Sequence, residues 1–130
     1  MTREEIMRLE GRELDAAVAE HVMGWTNVIY SDITAAPKGV RPDGLPDAVP
    51  HYSEDIAAAW QVVERLTAMG YQFELAFVPR YEPEPWLALF FVPPRRPAPA
   101  SSAFAATAAE AICRAALLAV CGEENRDADA

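Results

Sequence analysis

Apolar residues recur at two different periods along this 130-residue chain, and the switch between them marks out its elements. Thr2 followed by Glu5 fits a capping box, and Ile6 with Leu9 gives a short amphipathic turn that Gly11 is expected to end. Leu14, Val18, Val22 and Trp25 follow helical spacing, predicting a second helix over about 12–23 with Gly24 as its stop. Ser53 is the expected cap of a third helix reaching Met69, with Glu54 and Asp55 at the positive end of its dipole. Ile56, Trp60 and Val63, at i, i+4 and i+7, read as its core-facing stripe. Past Gly70 the period falls to two: Tyr71, Phe73, Leu75 and Phe77 point one way, and Gln72, Glu74, Ala76 and Val78 the other. After a turn at 81–85, residues 86–92 are apolar on both faces, and such a strand needs cover on both sides. A last helix is expected over about 102–120, capped by Ser101 or Ser102 and stopped by Gly122.

The intervening stretches are punctuated by Pro and Gly. Residues 26–52 carry Pro37, Gly39, Pro42, Gly44, Pro46 and Pro50, which leave room for only a short strand at Asn27 to Tyr30. A loop of that length in a compact domain is usually functional or disordered. Pro93, Pro94, Pro97 and Pro99, interleaved with Arg95 and Arg96, predict a stiff connection. Helices before and after an antiparallel hairpin give an α+β class, a small antiparallel sheet sandwiched between helices. So thin a sheet leaves edges open, and pairing with a second copy is expected to complete it. The length sets one domain, 1–121, followed by an acidic tail, 122–130, expected to be disordered.

Charge narrows the partners. Eleven Lys/Arg against twenty Asp/Glu leave a net charge of −9, of which Glu123, Glu124, Asp127 and Asp129 against Arg126 place part in the tail. Binding of a nucleic-acid polymer or an anionic membrane through a broad basic face is therefore not expected. An anionic ligand would be captured locally, by arginines and helix N-termini. Cys113 and Cys121 stand eight residues apart in one predicted helix, roughly 12 Å along its axis and beyond disulfide reach. They read as small apolar thiols of a reduced, cytoplasmic protein. The N-terminus has no signal-peptide pattern, and the apolar segment 103–121 carries Glu110 and Arg114, which suits a buried helix and not a membrane span.

No catalytic constellation is present: no nucleophile elbow, Walker loop or dinucleotide glycine pattern, and neither histidine has a carboxylate at metal-ligand spacing. No enzyme activity, cofactor or metal is expected. What remains is recognition chemistry. Arg114 interrupts an alanine-rich helix, where it either pairs with Glu110 one turn before it or serves as a fork for a phosphate or carboxylate. Trp86, at the mouth of the hairpin, is either half-buried packing or a flat face for a base. Trp25 beside Gly24 has the same two readings. Tyr52 and Ser53 stand at the third helix's open N–H groups, a natural anion site, though Tyr52 also fits a staple. Arg80, with Arg95 and Arg96, brackets the hairpin as an anion contact or as solvated rim charge.

Four stretches carry a family likeness: Gly-Arg-Glu-Leu-Asp at 11–15, Val-Met-Gly-Trp at 22–25, Pro-His-Tyr-Ser-Glu-Asp-Ile-Ala-Ala-Ala-Trp at 50–60 and Ala-Ile-Cys-Arg-Ala-Ala-Leu-Leu-Ala at 111–119. Together they resemble small phage and prophage proteins of the phage ABA sandwich domain family. Among these, the chain is similar to Thoeris anti-defence sponges. That similarity implies binding, without cleavage, of cyclic nucleotide immune signals: cyclic ADP-ribose isomers such as glycocyclic ADP-ribose, and in some members cyclic oligonucleotides. It also implies dimer-based assembly in the host cytosol, with ligand near subunit interfaces, and carries over to Arg114, Tyr52, Ser53, Trp25 and Trp86 as positions. The other reading is a structural or interaction domain of a phage protein without a small ligand.

Overall fold

A computed structural model describes residues 1–30, 36–93 and 101–121. Among the described residues, four α-helices and two antiparallel three-stranded sheets give the expected α+β class. Helix α1 spans Arg3–Arg8, and the Oγ1 of Thr2 accepts from the Glu5 N–H at 3.2 Å, as the capping pattern requires. Helix α2 spans Gly11–His21; Gly11 does not close α1 but opens α2, at φ +53°. Strands β1 (Thr26–Ile29), β2 (Lys38–Val40) and β3 (Pro46–Ala48) form the first sheet in that order. The stretch read as a long irregular loop therefore holds three short strands. Pro46 is tolerated because β3 is an edge strand, where a missing N–H breaks no central ladder.

Helix α3 spans Ile56–Ala68, and its cap is Asp55, whose Oδ1 accepts from the Ala57 N–H at 2.9 Å. Ser53 is not the cap, because it lies two residues upstream in a turn and bonds elsewhere. The buried stripe of α3 is Ala58, Ala59, Val62, Val63 and Leu66, so Ile56 and Trp60 face away from the core. Strands β4 (Gln72–Phe77) and β5 (Trp86–Phe91) form the hairpin read from the period-two pattern, in the register Phe73 to Phe90 and Phe77 to Trp86. Strand β6 (Ser102–Ala105) pairs with β5, where continuous helix was expected, and α4 is shortened to Ala108–Cys121. Its first turn is capped by Thr107, whose Oγ1 accepts from the Glu110 N–H at 3.2 Å, and not by Ser101 or Ser102. The alanine-rich start of that segment gains more from the β5 ladder and a buried face than from helix propensity.

Helix α4 is the hub. It packs on β5 and β6 and touches α1, α2 and α3, while β1 rests on α2. Residues 109, 111–113 and 115–119 are all buried, so a helix apolar nearly all round sits where that composition requires. Cys113 and Cys121 lie in this one helix and form no disulfide with each other. Among the described residues no helix is long and apolar enough to cross a membrane. The expected connection at 94–100, with Arg95 and Arg96, and the tail at 122–130 lie outside the described residues.

Candidate functional site

The structure divides the six residues singled out from the sequence between two places. Arg114, Trp86 and Arg80 converge on the turn end of the second sheet. The turn is built from a 3-10 segment at Pro79–Tyr81 and closed by the Val78 N–H donating to the Pro85 carbonyl at 2.7 Å. It carries Glu84 toward α4, where Glu84 Oε2 lies 3.7 Å from Arg114 Nη1. The Arg114 Nη2 donates to Glu110 Oε1 at 2.7 Å and to the Leu9 carbonyl, at the end of α1, at 3.2 Å. Arg114 is only 5% exposed, and its Nε is buried with no hydrogen-bond partner among the described residues. The i, i+4 pair with Glu110 is thus real, yet the guanidinium is incompletely satisfied, holding one loose ion pair to a largely exposed carboxylate.

Aromatic rings surround this end on both faces of the sheet. Trp86 is half-buried and meets Phe77 at 5.0 Å between centroids, on the face shared with Ala88 and Phe90. On the other face Tyr81 meets Phe104 at 4.9 Å, and the Arg80 guanidinium lies over the Tyr81 ring at 5.1 Å. Arg80 itself is exposed, so its charge sits on the rim. Two arginines and two aromatic pairs therefore flank one hairpin turn. Such groups suit phosphates and flat rings.

Trp25, Tyr52 and Ser53 meet elsewhere, in the scaffold. All three are buried. Burial pushes the Tyr52 hydroxyl up to about 12, partly offset by a hydrogen bond with Trp25. The Ser53 N–H donates to Asp15 Oδ1 at 2.7 Å, and the Ser53 hydroxyl donates to the Gly11 carbonyl at 3.3 Å. Asp15 is fully buried and also accepts from Arg12 Nη1 at 2.6 Å, while Arg12 Nη2 donates to the Val49 carbonyl at 2.6 Å. This network pins the end of the first sheet's connection onto the start of α2. Nearby Cys113 has its thiol pushed well above the usual range, by burial first and then by Asp15 and Glu110, which makes it unreactive.

One concavity received no role from the sequence. A pocket of about 360 Å³ between α2 and β1 is lined by Met1, Glu13, Ala16, Ala17, Glu20, His21, Val28 and Tyr30. None of the six residues singled out lines it. Glu13 and Glu20 make its wall acidic, which opposes phosphate. His21 is exposed there, with Nε2 3.8 Å from Glu20 Oε2. Among the described residues no group of three His, Cys, Asp or Glu side chains is placed to hold a metal ion.

Residues 16–117 match the model of the phage ABA sandwich domain. The chain belongs to the phage ABA sandwich domain family. A crystal structure of a phage protein from Bacillus cereus ATCC 14579 is similar, with a TM-score of 0.63 and 27% identity, over 86% of this chain and 93% of that one. No curated protein matches the chain. The match takes in Trp25, Tyr52, Ser53, Arg80, Trp86 and Arg114, while Gly11, Arg12 and Asp15 precede it.

Proposed function

We propose that this member of the phage ABA sandwich domain family is a non-catalytic phage protein that sequesters cyclic nucleotide immune signals, cyclic ADP-ribose isomers first among them, and releases them uncleaved. The observation that carries the reading is Arg114: a buried guanidinium with an Nε unpartnered among the described residues and a loose 3.7 Å pair to an exposed Glu84, in the turn that leads into the strand carrying Trp86. A phosphate oxygen would take up the open donor capacity, and Glu84, held at only 3.7 Å and with its side chain 55% exposed, would return to water when displaced. The net charge of −9 opposes an anion at long range, but salt at physiological strength screens that field beyond about 8 Å. Calorimetric titration against cyclic ADP-ribose isomers and cyclic di- and trinucleotides tests the reading. Saturable binding by the parent chain, lost in Arg114→Lys while the melting temperature stays close to that of the parent, is the expected result. Lysine keeps the charge and discards the planar fork.

A second reading, an interaction domain without a small ligand, is favoured by a different observation. Trp25, Tyr52 and Ser53 are committed to structural contacts and hydrogen bonds within the scaffold, which leaves half of the candidate ligand set with no polar group to offer a ligand. No saturable binding across the panel would support it.

A further inference from the structure

We propose that Glu84 is the resident occupant of the anion site at Arg114, a tethered carboxylate that a pyrophosphate group displaces and a single free carboxylate does not. The inference rests on the reading of Arg114 as the ligand site, and it names the anion that this site admits. Of the guanidinium's N–H donors, those on Nη2 are taken by Glu110 Oε1 at 2.7 Å and by the Leu9 carbonyl at 3.2 Å. Among the described residues Nε has no partner, and Nη1 has only Glu84 Oε2 at 3.7 Å, beyond hydrogen-bond distance. The N–H groups of Nη1 and Nε are therefore left unbonded beside a carboxylate. The pair is also lopsided, with the Arg114 side chain 6% exposed and the Glu84 side chain 55%. Glu84 thus reaches the guanidinium from the solvent side, by the route an incoming anion would take.

The turn, more than the contact, keeps Glu84 in place. Its backbone N–H donates to the Tyr81 carbonyl at 3.0 Å, and Pro83 and Pro85 on either side restrict the chain. The side chain can swing into water while that backbone stays where it is. Glu110 already balances the guanidinium charge, so Glu84 and an incoming anion repel each other and occupy the site in turn. A group on a short tether acts at an effective concentration of about millimolar. A free monocarboxylate offers the same charge and the same two oxygens as Glu84, and below that concentration it loses to the tethered group. A pyrophosphate brings two charges and more acceptor oxygens, enough to bond the donors that Glu84 leaves open. The site therefore ranks cyclic ADP-ribose isomers, which carry a pyrophosphate, above cyclic oligonucleotides, whose phosphodiesters are separate single charges.

Calorimetric titration of the full chain, Glu84→Gln and Glu64→Gln with inorganic pyrophosphate and with cyclic ADP-ribose, at fixed ionic strength, tests it. Glu64 is an exposed residue of α3, so Glu64→Gln makes the same change of net charge away from the Arg114 contacts. Glu84→Gln is expected to bind pyrophosphate about fivefold tighter than the parent, equivalent to about 1 kcal/mol for the lost competitor. Glu64→Gln is expected to stay within about twofold of the parent, because salt screens a distant charge. Acetate at the same concentration should not displace pyrophosphate from the parent. No pyrophosphate binding by Glu84→Gln, an affinity no better than the parent's, an equal gain in Glu64→Gln, or displacement by acetate would overturn the inference. If the pyrophosphate gain appears and cyclic ADP-ribose binds none of the three chains, the inference stands and the sponge reading falls. If cyclic ADP-ribose binds the parent and Glu84→Gln equally well, the inference falls and the sponge reading stands.

Discussion

Replacing Arg114 by methionine removes the guanidinium while keeping most of the volume of its stem, and the structure sets what that costs. Glu110 Oε1 loses its 2.7 Å partner and the Leu9 carbonyl loses its 3.2 Å donor. Breaking a fully buried pair on one side costs about 3–5 kcal/mol. The Glu110 side chain keeps 26% exposure, so water recovers part of that, and removing the unpartnered Nε returns about 1 kcal/mol more. A net loss of about 2 kcal/mol follows. For a chain of this size the unfolding entropy is about 0.27 kcal/mol/K, so the melting temperature should fall by about 7 °C. Glu84→Gln removes only a 3.7 Å pair whose carboxylate end is exposed, so at about 1 kcal/mol or less it should shift melting by less than about 4 °C. Differential scanning calorimetry of the two variants against the parent reads both numbers. If Arg114→Met melts within 2 °C of the parent, within the scatter expected for a surface change, Arg114 is not held by Glu110 and Leu9 as described.

The other expected outcomes concern the scaffold. Gly39→Ala places a Cβ 3.0 Å from Val28 Cγ2, 3.1 Å from the Thr26 carbonyl and 3.3 Å from Trp25 Cε3, so urea melts should show a loss of about 1–3 kcal/mol. Asp15→Ala leaves the buried Ser53 N–H without its acceptor and Arg12 without its carboxylate, and should cost about 3 kcal/mol in the same assay, the low end for a broken buried pair because Arg12 keeps the Val49 and Pro50 carbonyls. Tyr52 is held protonated by burial, with its folded value raised from 10.0 to about 12. Its contribution to stability is therefore complete below pH 10 and is lost as pH rises through about 12, a change on the order of 2–3 kcal/mol. Tyrosinate absorbance should show one of the four tyrosines titrating near 12, and Tyr52→Phe should remove that step.

Legibility in the sequence followed the range of the interactions involved. The β4–β5 hairpin was readable because period two is a local signal, and the Glu110–Arg114 pair because one helical turn separates the two. Leu9 and Glu84, the other groups at the guanidinium, stand 105 and 30 residues away in sequence and carry no local mark. Strand β6 was hidden by alanines whose helical preference is overridden by the β5 ladder, and β2 and β3 by strands of three residues containing Gly39 and Pro46. The α3 stripe was misplaced because Ala58 and Ala59, weak as hydrophobic signals, face the core, while the larger Ile56 and Trp60 face out. Trp25 and Tyr52 suggested ligand contacts one at a time, and only the tertiary fold brings them together as buried partners.

The measurement closest to the central claim is to saturate the purified protein with a cyclic ADP-ribose isomer, remove free ligand, denature the complex by heat and identify what is released by chromatography and mass spectrometry. The account predicts stoichiometric release of the intact cyclic nucleotide; recovery of a linear hydrolysis product, or of no nucleotide at all, would contradict it.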